Sequence, residues 1–465
     1  MAPMFQKKAL TGWMIALINV CAISNIKNFP LLAEYGLSVI LFLGLSAIFF
    51  FVPVALVSSE LASGWPERGV YTWVKVALGP RYGFLAIWLE WIENVIWYPT
   101  VLSFIVTTFA YIFNPELAQN KFYVMSAILI TFWSVTFINF LGMRTSGWFS
   151  SIAALFGTMV PIALIICLGS AWLIQGNPSQ IAFTWKAVFP DLASPNELVL
   201  LSGVLLGLAG MEMSAVHAKD VRDPKRDFPR GIFLSAILIL LFSFLGSLAI
   251  AAIVPIQKIQ LASGGMEAFS YLFKAFNMPW AIPVIAAVMT FGALGMMSTW
   301  IVGPSRGLHA SAEDGDLPPL FQKVNQRNMP VSILITQAVI VTVLSLVFLF
   351  MPSVNSSYWA LVALASILYM IMYVMMFISA IILRYKHPNV QRTYKIPYGN
   401  AGMWIVSLCG IFGAGFGCIV GFFPPAQFDT GKILPFECFL IGATLFFCIL
   451  PLLIYNARKP EWRKK

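Results

Sequence analysis

Apolar runs of nearly membrane length, separated by short polar connections, set the rhythm of this chain. About 20 mainly apolar residues carry a helix across a bilayer. By that criterion the runs predict spans at 10–35, 38–62, 82–113, 122–141, 147–175, 197–217, 231–254, 281–304, 331–352, 356–384, 401–424 and 433–456. Backbone N–H and C=O groups find no partner in hydrocarbon, so every span is expected to be a helix. The pattern predicts an all-α polytopic membrane protein with twelve transmembrane helices. One transmembrane domain covers 1–456, and a short basic tail covers 457–465. Two of the runs are interrupted. AISNIKNFP (22–30) sets a lysine, a serine, two asparagines and a proline inside the first span, and LLGLAGMEM (205–213) sets Gly207 and Gly210 beside Glu212 in the sixth.

Composition supports the membrane reading. The chain has 465 residues, of which 59% are hydrophobic and 10% charged, with a mean hydropathy of +0.84. A soluble domain carries about a quarter charged residues, so this one lacks the polar surface that water requires. The net charge of +10 is distributed by topology. With the N-terminus inside, 23 of the 29 Lys and Arg fall in cytoplasmic connections or tails, five fall outside, and Lys27 lies within the first span. Such an asymmetry orients a polytopic protein, here with both termini cytoplasmic. It removes the reason to invoke nucleic acid. The six cysteines all lie in apolar runs without CxxC spacing, and read as small buried hydrophobes rather than disulfides or metal ligands. The opening MAPMFQKKAL is too short for a cleaved leader, so the first helix is expected to direct insertion.

Ionisable side chains inside spans are costly and mark candidate sites. Here they are Lys27, Glu34, Glu60, Glu90, Glu93 and Glu212. Lys27 lies halfway along its span, and reads either as half of a buried ion pair or as a ligand or coupling group. Glu90, Glu93, Asn94 and Trp97 follow i, i+3, i+4, i+7 spacing and form one polar stripe, for helix packing or for a solute. Glu60, at a cytoplasmic end, reads as a loop anchor. Glu34, near the outer end, reads as solvated. The glycines around Glu212 fit close helix packing, but packing does not account for the glutamate.

Interrupted helices at matching positions in two halves point to a transporter site. Unwound backbone needs partners that a polar solute supplies and lipid does not. A half-helix starting near Phe29 offers free N–H groups to an anion, strengthened by Lys27, while the carbonyls ending the other half suit an ammonium group. A zwitterion matches both ends. No span centre carries His or Asp, and no HExxH or Asp-rich motif occurs, which argues against a membrane-embedded enzyme. No filter-like loop suggests a channel. No cofactor or metal is expected. Ser298 and Thr299 keep a sodium site open, against the alternative of simple packing hydroxyls.

Several stretches then resemble the amino acid–polyamine–organocation superfamily. VPVALVSSELASGWPERGVYTWVKVALG (52–79) resembles its second helix and following loop. GMEMSAVHAKDVRDPKRDFPRG (210–231) resembles its sixth helix and the loop carrying Asp/Glu-x-x-x-Pro-x-Arg-x-x-Pro. WIVGPSRGLHASAEDGDLPPLF (300–321) and RTYKIPYG (392–399) are similar to the bacterial glutamate/γ-aminobutyrate antiporters. The resemblance implies a five-plus-five inverted repeat with helices 1 and 6 broken (about 10–175 and about 197–384), two extra helices (about 401–456), and a bacterial inner-membrane location. It implies secondary active transport of amino acids or their amine products by alternating access, as antiport, with proton- or sodium-coupled symport the alternative. Carried onto this chain, substrate contacts are Ser24, Asn25, Ile26, Lys27, Asn28, Glu90, Glu93, Asn94, Ala209, Gly210, Met211, Glu212, Trp300 and Tyr369, with Glu212 and Lys27 also candidates for proton coupling or gating. The chain departs from glutamate exchangers in reading Lys27-Asn28-Phe29-Pro30 instead of a Tyr-Glu-Tyr-Pro stretch. It adds the acidic pair Glu90 and Glu93, which favours an ammonium-bearing solute without an extra carboxylate. It also ends just past the twelfth span, without a plug-forming extension.

Overall fold

The computed structural model describes residues 11–141, 155–189, 198–213, 221, 226–425, 427 and 429–463. The side chains at 22, 155, 228, 229, 298 and 299 lie outside that description, and with them the Ser298–Thr299 sodium reading. Most of the Asp220–Pro229 motif also lies outside it. Among the described residues there is no strand.

The first apolar run forms α1 (Gly12–Ile23) and α2 (Phe29–Ala33), which meet at a 50° bend. A continuous helix follows, α3 (Gly36–Gly64), then a short amphipathic helix, α4 (Gly69–Leu78). The later elements are α5 (Pro80–Ala110), α6 (Lys121–Asn139), α7 (Phe156–Ile174), α8 (Leu201–Leu208) and α9 (Asp227–Ile253). They continue with α10 (Gly264–Ala275), α11 (Ala281–Glu313), α12 (Val331–Phe350), α13 (Val354–Lys386), α14 (Gly399–Val420) and α15 (Ile433–Asn456). Ten described helices are long and apolar enough to cross a membrane, and the bent α1–α2 pair makes an eleventh. The sixth predicted span is described only over 198–213, where it is a shorter apolar helix. The chain is an all-α polytopic membrane protein.

Two helices that the apolar runs did not announce are α4 and α10. Both are amphipathic and lie in connections. α11 also outruns its predicted end at 304, carrying Arg306 and His309 on to Glu313. The cysteines correct another expectation: all six are free, but Cys167 and Cys438 are exposed and the others half-buried. On spans that face lipid, an outward thiol is tolerated as a small apolar group. Glu34 is half-buried rather than solvated.

Enclosure identifies the centre. The most apolar windows of α5 and α13 are 89% and 78% buried, against 28% for α15 at the periphery. α1 packs along α9, and α11 packs along α5. Helices approach closest at glycines, because without a hydrophobic drive between them in lipid, contact area depends on small residues. A Cβ built on Gly157, in the first turn of α7, would lie 2.1 Å from the Gly292 Cα of α11. Gly157→Val therefore displaces backbone, and is expected to cost about 1–3 kcal/mol as an overpacked core. The fraction of purified protein that stays monodisperse after a heat step measures it, and an unchanged midpoint would show that the two helices are not locked there.

Candidate functional site

Local chemistry breaks the first span. Ser24 and Asn25 are extended, at φ/ψ −68/109 and −136/128. The Asn25 carboxamide oxygen accepts the Lys27 N–H at 3.0 Å, an Asx-type cap that starts the turn Ile26–Asn28. Pro30 then sits in the first turn of α2, where its missing N–H costs nothing. The interruption is narrower than the five residues expected, since only two are extended and 26–28 form a 3₁₀ turn.

The sixth span breaks in the same manner. Ala209 is extended, and Gly210 has φ +112°, a conformation that favours glycine. A 3₁₀ turn, 211–213, follows. The freed Gly210 N–H donates to the Tyr373 hydroxyl at 2.9 Å. Both tyrosines of α13 then donate to Glu212: Tyr369 O–H to Oε1, and Tyr373 O–H to Oε2 at 2.6 Å. Glu212 is thus buried with both oxygens occupied.

The two breaks face each other. The Asn28 side chain donates to the Gly207 carbonyl at 3.4 Å, and a Cβ on Gly207 would come within 3.2 Å of that Asn28 nitrogen. The glycine makes room for the opposite helix. Between them lies a cavity of about 60 Å³. Of the residues expected in a site, Asn25, Lys27, Asn28, Glu93, Asn94, Ala209, Trp300 and Tyr369 line it. Ser24, Ile26, Glu90, Gly210, Met211 and Glu212 do not. Ser24 is buried with its hydroxyl unpartnered, and Ile26 packs towards Gly265 at the start of α10.

The lining is polar on two sides. Lys27, 2% exposed, has its Nζ 5.0 Å from the centre of the Trp97 ring and 5.3 Å from that of Tyr358. No carboxylate of the described residues lies within 4 Å of it, so the ion-pair reading of Lys27 is not what the structure shows. Glu93, 3% exposed, accepts from Asn94 Nδ2 at 2.6 Å. Trp300 covers this region, edge to face with Trp97 at 5.7 Å and held by the Tyr98 hydroxyl donating to its carbonyl at 3.0 Å.

The acidic stripe of α5 divides between two cavities. Glu93, Asn94 and Trp97 face the central one. Glu90 faces a second, of about 250 Å³, which Glu212 also lines together with Arg68, Met213 and Arg306. Glu212 and Tyr369 therefore form a wall with one cavity on each side. The second cavity is flanked by α4 and the end of α11, which a charged cluster ties together. Arg68 and Lys75 pair with Asp314 at 2.9 and 2.7 Å, and Tyr71 O–H donates to Asp314 and Asp316. Burial opposes the Asp314 charge, but the Lys75, Arg68 and Tyr71 hydrogen bonds outweigh it and hold the carboxyl at about 2. The tail joins this cluster through Arg458, 3.6 Å from Asp316.

Tyr358 and Tyr373 were not among the expected site residues. Both stand on α13, where aromatic residues in an apolar run look like packing. Only their contacts in three dimensions separate them from core: Tyr358 lines the central cavity, and Tyr373 donates to Glu212.

A family model for amino acid permeases matches residues 10–444. The chain belongs to the amino acid permease family. This places it in the amino acid–polyamine–organocation superfamily, in agreement with the motifs at 52–79, 210–231 and 300–321. Among relatives of this permease, an uncharacterized transporter of Legionella pneumophila is 45% identical over 449 residues, covering 96% of each chain. A glutamate/γ-aminobutyrate antiporter of Lactococcus lactis is 31% identical over 459 residues, covering 97% of this chain and 91% of the relative. A probable agmatine/putrescine antiporter of the same species is 22% identical over 417 residues, covering 87% and 86%. The permease is a transporter and not an enzyme.

Proposed function

We propose that this permease exchanges amino acids or their amine products across a bacterial inner membrane by alternating access, with both termini cytoplasmic. The observation that carries the reading is the central cavity, bounded by the breaks of two helices and walled by the buried Lys27 and Glu93. A solute bound there meets polar side chains that both the break of the first span and α5 present to the cavity, among them Asn25, Asn28 and Asn94. The cavity at Glu90 and Glu212 is the inner approach, closed from the centre by the Glu212–Tyr369–Tyr373 hydrogen bonds. Release inward requires those bonds to open, and Glu212 is the group best placed to gain a proton as they do. The two breaks are read as the first helices of two inverted repeats, about 10–175 and about 197–384. The antiporters among the relatives favour exchange over ion-coupled uptake.

Counterflow tests this. Purified protein in liposomes is expected to accumulate labelled amino acid only when unlabelled amino acids or amines are loaded inside. Equal uptake into empty vesicles would replace exchange by symport or uniport.

A further inference from the structure

Family membership does not decide between amino acids and amines, since relatives named for both occur. The central cavity does. We propose that Lys27 makes a carboxylate obligatory in the transported solute, so that molecules with one carboxylate and one ammonium group are accepted and amines without a carboxylate are refused. The inference rests on reading that cavity as the solute site.

Lys27 is among the largest fully buried side chains of the protein, and is 2% exposed. Removing an ammonium group from water is expensive unless an anion compensates it. The faces of Trp97 and Tyr358, 5.0 and 5.3 Å from Nζ, return part of that cost by cation–π attraction. Glu93 lines the same cavity and makes no ion pair with Lys27. A carboxylate in the cavity would supply the rest of the compensation. Glu93 is in the mirror-image position. Asn94 satisfies Oε1, while Oε2 takes no hydrogen bond from the described residues.

The cavity therefore presents a lysine and a glutamate that do not pair with each other. Its complement is a solute with the opposite charges at its own two ends. The carboxylate meets Lys27, and the ammonium meets Glu93. An amine without a carboxylate would bring a second cation against Lys27 in a site that excludes water, where like charges repel strongly. A breaking of the first span that used backbone alone would discriminate by dipoles. Lys27 replaces that weak preference with a requirement.

The test is a binding panel read as ligand-induced thermal stabilisation of the purified full chain. It comprises the standard amino acids, their methyl esters, 4-aminobutyrate, and the carboxylate-free amines putrescine, cadaverine and agmatine. Esterification leaves the shape and removes the charge. For any amino acid that binds, its ester is expected to bind at least about 30-fold more weakly, the loss typical when one partner of a buried charge pair is removed. The carboxylate-free amines are expected to show the same deficit. Lys27→Gln is expected to weaken the amino acid and not the ester, bringing the two within a few-fold of each other, while Lys27→Arg keeps the wild-type order. Should either variant fail to fold, the wild-type panel decides alone. An ester or a carboxylate-free amine that binds wild type as well as the parent amino acid overturns the proposal. So does a Lys27→Gln protein that still discriminates. Counterflow of putrescine or agmatine by wild type would overturn it while leaving the exchange reading standing, whereas absence of counterflow with every member of the panel overturns the exchange reading itself.

Discussion

Glu212→Gln is expected to lower exchange at least about tenfold while the protein still inserts and purifies as a single species. The carboxylate accepts from two tyrosines of α13 at once, and one of these, Tyr373, in turn accepts the Gly210 N–H at the break of the sixth span. Side chain, break and α13 are thus one hydrogen-bonded unit. Glutamine keeps the size but has one acceptor oxygen, so one tyrosine must turn its hydroxyl or lose its partner. Hydrogen bonds to a charged group contribute about 1.5–3 kcal/mol each, which is a factor of about 10 to 150 in a rate that depends on the arrangement. The variant also removes the carboxylate between the two cavities that can take up a proton. The measurement is the initial counterflow rate per inserted molecule. Tyr369→Phe separates the roles, since it removes one donor and leaves the charge: it is expected to speed or slow exchange without abolishing it. Wild-type exchange by Glu212→Gln would remove Glu212 from the transport cycle.

How much of this the sequence disclosed depends on the range of each interaction. The spans were legible because a membrane helix is a run of neighbours, and hydropathy adds along a run. The two breaks were legible for a related reason: Asn25, Lys27 and Pro30 are local, and so are Gly207, Gly210 and Glu212. What those breaks meet was not. The partners of Glu212 stand 157 and 161 residues away, on a helix where Tyr369 and Tyr373 are indistinguishable by pattern from packing aromatics. Lys27 shows the same limit from the other side. Burial of a lysine suggests a carboxylate partner, yet Lys27 makes no ion pair with Glu93 and has the rings of Trp97 and Tyr358 beside it. The stripe of α5 was read correctly as one helix face, but that face crosses from one cavity to another between Glu93 and Glu90, a boundary set by the wall across from it and not by α5. The connection helices α4 and α10 were missed because a hydropathy scan rewards uniform apolarity and passes over amphipathic turns.

The largest loss of stability is expected at a glutamate that lines neither cavity. Glu60, 1% exposed, ties two distant segments to the end of α3. Arg384, near the end of α13, donates to it through two nitrogens, Nε to Oε1 at 2.5 Å and Nη2 to Oε2 at 2.6 Å. The Ile396 N–H, in the connection to α14, donates to Oε2 at 2.8 Å, and Arg392 Nε stands 3.5 Å from Oε1 with its guanidinium over the Trp65 ring. Glu60 thus holds the connection at Arg392 and Ile396, as a loop anchor does, together with Arg384 of α13. Glu60→Ala leaves Arg384, whose side chain is 7% exposed, without its anion. Breaking a buried pair from one side costs about 3–5 kcal/mol, a large share of the 5–15 kcal/mol that holds an ordinary domain together. The variant should therefore express poorly and lose its monodisperse peak at a much lower temperature than wild type. A second variant separates an uncompensated charge from a lost packing contact. Glu60→Leu with Arg384→Met removes both charges and keeps the volume, and replacing a whole buried pair by apolar groups is often close to neutral. It should recover a substantial part of the stability, but not all of it, because the Ile396 N–H and Arg392 still face the site without their carboxylate. A double variant no better than Glu60→Ala would mean that the shape of the anchor matters and the charge pairing does not.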